Sequence, residues 1–406
     1  MNKHPLTKNE VINLLKTIFI ENLGSEKIEL LLAEGRILTS DIISSINLPP
    51  FNNSAVDGYA IHNDNLYDSM KLKCTQRVAA GDQTEIFLKT NEVARIFTGA
   101  RMPNNSNTVI MQENVIVDGD YISMNKIPQL GENCRLIGED VSKGDKILQC
   151  GEKINSTNIN LIAAVGKKYV EVKKKLKVGY FTSGNELIEP SERLEGSKIN
   201  NSNRFSLQSL LNDSYIVANY LGILADSKDK IIESLTENIN DYNVLLTTGG
   251  ASVGEEDHLI DVIKEKGRIY FWKTAIKPGR PLAIGQINKT IIICLPGNPV
   301  SVHLLYGMII KPFLEFLCGS KMNKPQSFKA IVNFSMKKKT KRLEWIRVTL
   351  DQNNLETIYV NKYQKQGSGM ISSIAFSDGI IEIPESVSKI NRGDKFDFYL
   401  FDQLFN

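Results

Sequence analysis

The stretch VLLTTGGASVGEEDH (residues 244–258), with IYFWKTAIKPGRPLAIG (269–285) and IIICLPGNPVS (291–301) after it, decides how this chain folds. Val244-Leu245-Leu246 is a short apolar run that stops abruptly at Thr247-Thr248-Gly249-Gly250. A run of that kind, bounded by glycines, suits a strand buried on both faces of a parallel sheet. Gly249 and Gly250 let the chain turn with exposed N–H groups, which cradle anions. Glu255, Glu256 and Asp257 then open a predicted helix whose apolar side carries Leu259, Val262 and Ile263. The pattern repeats as a strand over 291–295, the loop Pro296-Gly297-Asn298, and a helix with Asn298 as N-cap and Pro299 at its first position.

The same alternation extends upstream. A strand over 178–181 runs into Thr182-Ser183-Gly184-Asn185-Glu186. Ser202-Asn203 precede a helix carrying Leu207, Leu210 and Leu211. A strand over 215–221 follows, then a helix capped by Asp226-Ser227 with Ile231, Leu235 and Ile239 at spacing four. Strands alternating with helices predict a parallel sheet, whose ligands sit beyond the carboxyl ends of the strands. Glu186, Asp226, Gly249, Gly250, Asp257 and Pro296-Gly297-Asn298 all follow predicted strands, so they should crowd one rim. The glycines form neither a Walker loop, because Glu255-Glu256 stand where Lys and Ser/Thr belong, nor a GxGxxG fingerprint. Carboxylates beside an anion-binding loop call for a cation between them, and Lys273 and Lys277 come shortly after. Metal-assisted chemistry on a phosphorylated substrate is one reading. An ordinary α/β core with acids at a helix start, placed there by the helix dipole, is the other.

With 406 residues the chain divides into several domains. The expected architecture is multidomain α/β. An N-terminal helix (within 1–24, from Thr7 to Asn22) packs on the α/β domain. Residues 25–43 and 144–176 form an elongated linking domain, including a helix capped by Ser156. Residues 44–143 form a β-rich domain, 177–325 the parallel-sheet α/β domain, and 326–406 a C-terminal β-barrel domain with a lysine hairpin tip at Lys337-Lys338-Lys339. Hydrophobic residues make up 42% of the chain and mean hydropathy is −0.19, as in soluble proteins. A net charge of +3 gives no footing for nucleic acid. The five cysteines contain no CxxC and the four histidines no ligand pair, so the thiols are expected reduced, in the cytoplasm, and any metal is expected to be a hard cation on oxygens. The start of the chain has no signal-peptide pattern. The most apolar run, 300–317, is interrupted by Ser301, His303, Lys311, Pro312 and Glu315, and reads as a buried helix rather than a membrane span. Taken singly, Thr98, Arg135 and Asp140 read as turn or surface residues.

Eight segments occur in a fixed order: PPFNNSAVDGYAI (49–61), FTGARMPNNSNTVIMQE (97–113), RLIGEDV (135–141), TSGNEL (182–187), TTGGASVGEEDH (247–258), FWKTAIKPGRP (271–281), LPGNPVS (295–301) and SGMISSIAFSDGII (368–381). Together they resemble the molybdopterin molybdenumtransferases, the MoeA family, related to the C-terminal part of gephyrin. The α/β segment alone also fits the adenylyltransferases of the same pathway. The resemblance implies that adenylylated molybdopterin is cleaved with Mg²⁺ to release AMP, and that molybdate is joined to the dithiolene. It implies catalytic roles for Asp57, Thr98, Asp140, Glu186, Asp226 and Asp257, the last three holding the metal. Arg135, Gly249, Gly250, Ser252, Lys273, Lys277, Arg280, Pro296, Gly297, Asn298 and Pro299 would bind substrate. It also implies an elongated homodimer with the cleft between the α/β domain of one subunit and the β-rich domain of the other, and as protein partners the adenylyltransferase and molybdoenzyme apo-proteins. Four positions depart from the usual pattern: Asn52 and Asn185 for Asp, Ser227 for a second acid, and Arg280 for Lys. A pterin-binding scaffold without turnover is the alternative from another class.

Overall fold

Val244–Thr248 is buried at every position and lies inside a six-stranded sheet. In the computed structural model every residue is described except 1–3, 22, 65, 68–69, 84, 251–257, 339–340, 353–356 and 406. The sheet runs Ile216–Leu224, Leu176–Ser183, Val244–Thr248, Thr290–Leu295, Ala283–Ile287, Arg268–Trp272. The first four strands are parallel, as expected; Ala283–Ile287 runs antiparallel to both its neighbours, so Arg268–Trp272 at the edge again runs with the first four. The reversal is local: Asn288, at φ 52°, and Lys289 make a two-residue hairpin turn between Ile287 and Thr290. Leu246 faces one core, with Leu207, Leu210 and Phe313, while Leu245 faces the other, with Ile231, Leu235 and Ile263. Burial on both faces is why these strands read as unbroken apolar runs.

The apolar segment Pro299–Leu317 is one helix that is long and apolar enough to cross a membrane by length and composition, yet it is largely buried inside the protein. It widens to a π turn over Tyr306–Ile310. Pro312 accounts for this, having no N–H to donate to Met308 and a ring that crowds that carbonyl.

The N-terminal helix is shorter than expected, Lys8–Leu15, with Thr7 and Glu10 forming a capping box. Val11, Leu15 and Ile18 join the α/β core, whereas Phe19 lies outside the helix, exposed, with its ring 5.4 Å from that of Phe316. Ser25–Glu29 pairs with Tyr169–Lys173, and Ile42–Ile43 with Lys146–Leu148, so two distant segments build one linking module. Its helix Ser156–Ala164 is capped by Asn155 rather than Ser156, because Asn155 accepts from Asn158 N–H and Asn158 reaches back. Six strands between Gly58 and Met124 form the β-rich sheet.

Near the C-terminus, Leu343–Leu350, Tyr359–Lys362, Phe328–Val332, Lys395–Leu400 and Gly379–Ile383 close into a five-stranded barrel. Lys338 is not a solvated tip: it is buried and donates to the Pro384 carbonyl. Lys337 pairs in a short strand with Lys389, and Lys339 is outside the described residues. The barrel joins the α/β domain through Ile276–Lys277, which pairs with Leu343–Glu344, and through Lys8 to Glu382 at 2.5 Å.

Candidate active site

Four parallel strands end on one rim, where the sequence places its first group of polar residues. Ser183 ends its strand, and its hydroxyl donates to Asp226 Oδ1 at 3.1 Å. Asp226 Oδ2 accepts from the Asn185 N–H at 3.3 Å. Asp226 therefore ties two strand ends together instead of capping the next helix, where Ser227 is the N-cap and makes no side-chain bond. The Glu186 carboxylate folds back over Gly184, close enough that a Cβ there would lie 2.4 Å from Oε2. Glu186 and Asp226 thus flank one turn. Gly249 (φ 92°) comes so near Ser183 that a Cβ would meet its carbonyl oxygen at 2.7 Å, and only glycine fits. Gly250 and Gly297 sit beside the same residues, with the Gly297 carbonyl held by Asn203 Nδ2 at 2.7 Å. Ser252 and Asp257 lie outside the described residues.

The loop 295–299 has a second side, which faces a cavity of about 450 Å³. Pro296 and Asn298 line it together with Lys277, Arg280, Arg342, Glu344, Arg347 and Ser368. A larger hollow of about 620 Å³ lies by Lys177, Tyr242 and Thr290, at the opposite ends of the strands, where parallel sheets do not hold ligands. In the 450 Å³ cavity Lys277 Nζ pairs with Glu344 Oε1 at 2.7 Å. Arg347 is buried. Its guanidinium donates to Ser373 Oγ at 3.2 Å and to the Gly367 carbonyl at 3.2 Å, which sets the loop bearing Ser368. Burial pulls Arg347 down to about 10, still a cation at neutral pH. Burial also lowers Arg342. The Ser368 carbonyl accepts from Val300 N–H at 3.1 Å, serving the start of the helix that Pro299 opens. Lys273 is elsewhere: at φ 76° its ammonium turns onto the Trp272 ring, 4.0 Å from the centroid.

Sequence reading missed Arg342, Glu344, Arg347 and Ser368. The signal was present, since LEWIRV puts two charges, Glu344 and Arg347, into an otherwise apolar strand, with Arg342 just before it. Buried charges in a strand are exceptional unless they serve a site.

A second acidic corner forms in the β-rich domain. Asp57 Oδ1 accepts from both Thr98 N–H and Thr98 Oγ1, each at 2.8 Å. Those bonds, the backbone one foremost, hold the Asp57 carboxyl below the ordinary carboxylate range. Arg135 pairs in register with Asn53, and Asp140 N–H donates to the Leu48 carbonyl. Asn52 Oδ1 accepts from Ile137 N–H at 2.7 Å, so this departure from the usual Asp keeps an acceptor. The structure thus gathers Asp57, Thr98, Arg135 and Asp140 along one run of chain, 48–57. Among the described residues, no hydrogen bond or ion pair joins residues 44–143 to residues 177–406.

Three family models match the chain in order: "MoeA N-terminal region (domain I and II)" over residues 6–166, "Probable molybdopterin binding domain" over 179–315, and "MoeA C-terminal region (domain IV)" over 329–401. A molybdopterin molybdenumtransferase of Haemophilus influenzae is 34% identical over 382 residues, covering 94% of this chain and 95% of that protein. One from Staphylococcus epidermidis is 29% identical over 406 residues, covering 98% and 96%. The crystal structure of the molybdopterin biosynthesis MoeA protein from Pyrococcus horikoshii superposes with a TM-score of 0.83 at 31% identity, covering 98% and 100% of the two chains.

Proposed function

From the chain's place in the MoeA family, to which it belongs along nearly its whole length, we propose that it is a molybdopterin molybdenumtransferase that inserts molybdenum from molybdate into adenylylated molybdopterin and releases AMP. The observation that carries this reading is the loop 295–299, which has the acidic, glycine-lined rim on one side and the cationic cavity on the other. A nucleotide-tagged pterin lies along the rim and a tetrahedral oxyanion in the cavity, so the two substrates meet across Pro296-Gly297-Asn298.

Mg²⁺ fits the rim by donor chemistry. Glu186 and Asp226 offer only oxygens, each Asp226 oxygen keeps a lone pair beyond its single donor, and Asp257 belongs to the same set by sequence. When bound, the ion offsets the charge of the phosphoanhydride. The chain's own groups do the positioning. Gly249 and Gly250 admit the substrate close to the backbone. Lys277, Arg280 and Arg342 are cations on the oxyanion side, and Arg347 fixes the Ser368 loop that closes it. The dithiolene, not a side chain, receives the metal. The corner of Asp57, Thr98, Arg135 and Asp140 acts on the rim of a second copy, in a homodimer; the lack, among the described residues, of any hydrogen bond or ion pair between the two regions of one chain supports this. The five unpaired cysteines suit a reducing compartment, the cytoplasm.

The test is AMP release from adenylylated molybdopterin with Mg²⁺ and molybdate. Many turnovers are expected, and Glu186→Ala should lower the rate by about a hundredfold or more with the melting curve unmoved. One AMP per protein, or an unaffected Glu186→Ala, overturns the reading.

A further inference from the structure

The cavity behind the 295–299 loop holds one acid among its cations. Glu344 is only 7% exposed, and its Oε1 accepts from Lys277 Nζ at 2.7 Å. Its Oε2 is shut off from solvent and meets no donor among the described residues. The two residues stand opposite each other in a parallel pairing, so the backbone fixes their approach. Their exposures differ: the Lys277 side chain is 39% open and that of Glu344 9%. Lys277 can swing into the cavity, and Glu344 cannot follow it.

An ionised carboxylate in such a place works against an anionic guest. It repels a dianion directly, and once the lysine turns to the guest it is left as a buried charge without its one hydrogen-bonded partner. Protonation of the carboxyl removes both penalties. We propose that capture of a tetrahedral oxyanion in this cavity draws Lys277 from Glu344 onto the oxyanion, and that Glu344 takes up one proton from solvent in the same equilibrium. The inference rests on the oxyanion assignment made for the cavity above. The charges balance: a dianion and one proton enter, Lys277 keeps all three of its N–H protons, and Glu344 passes from carboxylate to acid.

The other charged groups around Glu344 do not supply this proton exchange. Arg347 lies on its own strand, Arg342 just before that strand, and Arg280 in the loop after Lys277; all three are guanidiniums, which do not exchange protons near neutral pH. On the neighbouring Gly379–Ile383 strand, Glu382 is already paired with Lys8 at 2.5 Å. Lys338, with Glu385 near it, and His303, on the helix that Pro299 opens and with its Nδ1 3.0 Å from the Pro299 carbonyl, are both lowered chiefly by burial and are rival acceptors.

The experiment is calorimetric titration of the full-length protein with molybdate, itself fully deprotonated between about pH 6.5 and 8.5, in buffers of different ionisation enthalpy. Uptake should approach one proton per bound oxyanion, and affinity should fall by up to about tenfold per pH unit. Glu344→Gln should show near-zero uptake and an affinity flat with pH, since an amide is neutral throughout. Lys277→Gln, which removes the ammonium whose transfer drives the exchange, should show uptake well below that of the wild type, and serves if the first variant does not fold. Binding by the wild type without proton uptake overturns the coupling and leaves the function standing. Uptake that persists in Glu344→Gln overturns it too and assigns the proton to another group, Lys338 or His303. No molybdate binding by the wild type removes the cavity assignment and the coupling with it.

Discussion

The rim of the α/β domain and the corner of the β-rich domain solve the same problem in opposite ways. On the rim, Asp226 spends its two oxygens on two donors from one strand end, and the Glu186 carboxylate makes no hydrogen bond or ion pair among the described residues. In the corner, Asp57 takes two donors from a single residue, Thr98, on one oxygen. The rim collects residues far apart in sequence because parallel strands deliver their carboxyl ends to one edge. The corner is stitched from loops that run beside residues 48–57. Neither region is bonded to the other within the described chain. The difference teaches that the acids form two groups, each internally ordered and neither bonded to the other within the described chain; the homodimer proposed above is what would bring them together.

The largest effect tests that lesson directly. Asp57→Ala and Glu186→Ala should each be nearly inactive in AMP release. If the cleft is shared between subunits, unfolding and refolding the two variants together should restore about a quarter of wild-type activity, since half of randomly paired dimers are mixed and each mixed dimer carries one intact cleft. No recovery, with mixed dimers verified by tagged purification, would place both half-sites in one chain and break the comparison.

A smaller effect separates the corner's preorganisation from its charge. Thr98→Val deletes the hydroxyl donor and keeps the N–H, so the Asp57 titration should rise part of the way toward the ordinary carboxylate value. The sign follows from linkage: a folded carboxyl held low contributes stability that is present above the unfolded value and is lost as pH falls through the folded one. The variant should begin to lose that contribution at higher pH, and the acid limb of AMP release should shift upward in step. Carboxyl-carbon NMR of Asp57 reads the titration; an unmoved value means that Thr98 does not tune this acid.

These contrasts also mark what sequence could and could not reveal. Val244-Leu245-Leu246 ending in glycines was legible because burial on both faces and a tight turn are local demands, met by local residues. The rim was legible because strand ends in a parallel sheet converge by topology. Lys273 was grouped with Lys277 by nearness along the chain and by the family motif, and neither discloses that a left-handed backbone at Lys273 lays its ammonium over the Trp272 ring, apart from the cavity that Lys277 lines. Asp226 looked like a helix cap because any Asp before a helix does; only the return of the strand ending in Ser183 gives it other donors. Arg342, Glu344 and Arg347 escaped because their value depends on Lys277 and on the 366–368 loop, neighbours that a strand pattern does not disclose.

The smallest effect concerns Asn52, where the family's usual acid is missing. Its Oδ1 accepts from Ile137 N–H at 2.7 Å and so fastens the segment carrying Arg135 and Asp140 to the segment carrying Asp57. An aspartate would accept the same bond, so Asn52→Asp should leave AMP release within about twofold, since only a peripheral charge changes. Asn52→Ala removes the acceptor and should cost about 1 kcal/mol in stability, read as a small fall in denaturation midpoint. If Asn52→Asp instead raises activity tenfold, charge at this position acts on substrate and the corner does more than hold its own loops in register. If Asn52→Ala is silent in both measurements, the bond to Ile137 does not fasten the corner, and the ordering of that group comes from the backbone ties, the Arg135–Asn53 pairing and the Asp140 N–H on the Leu48 carbonyl among them.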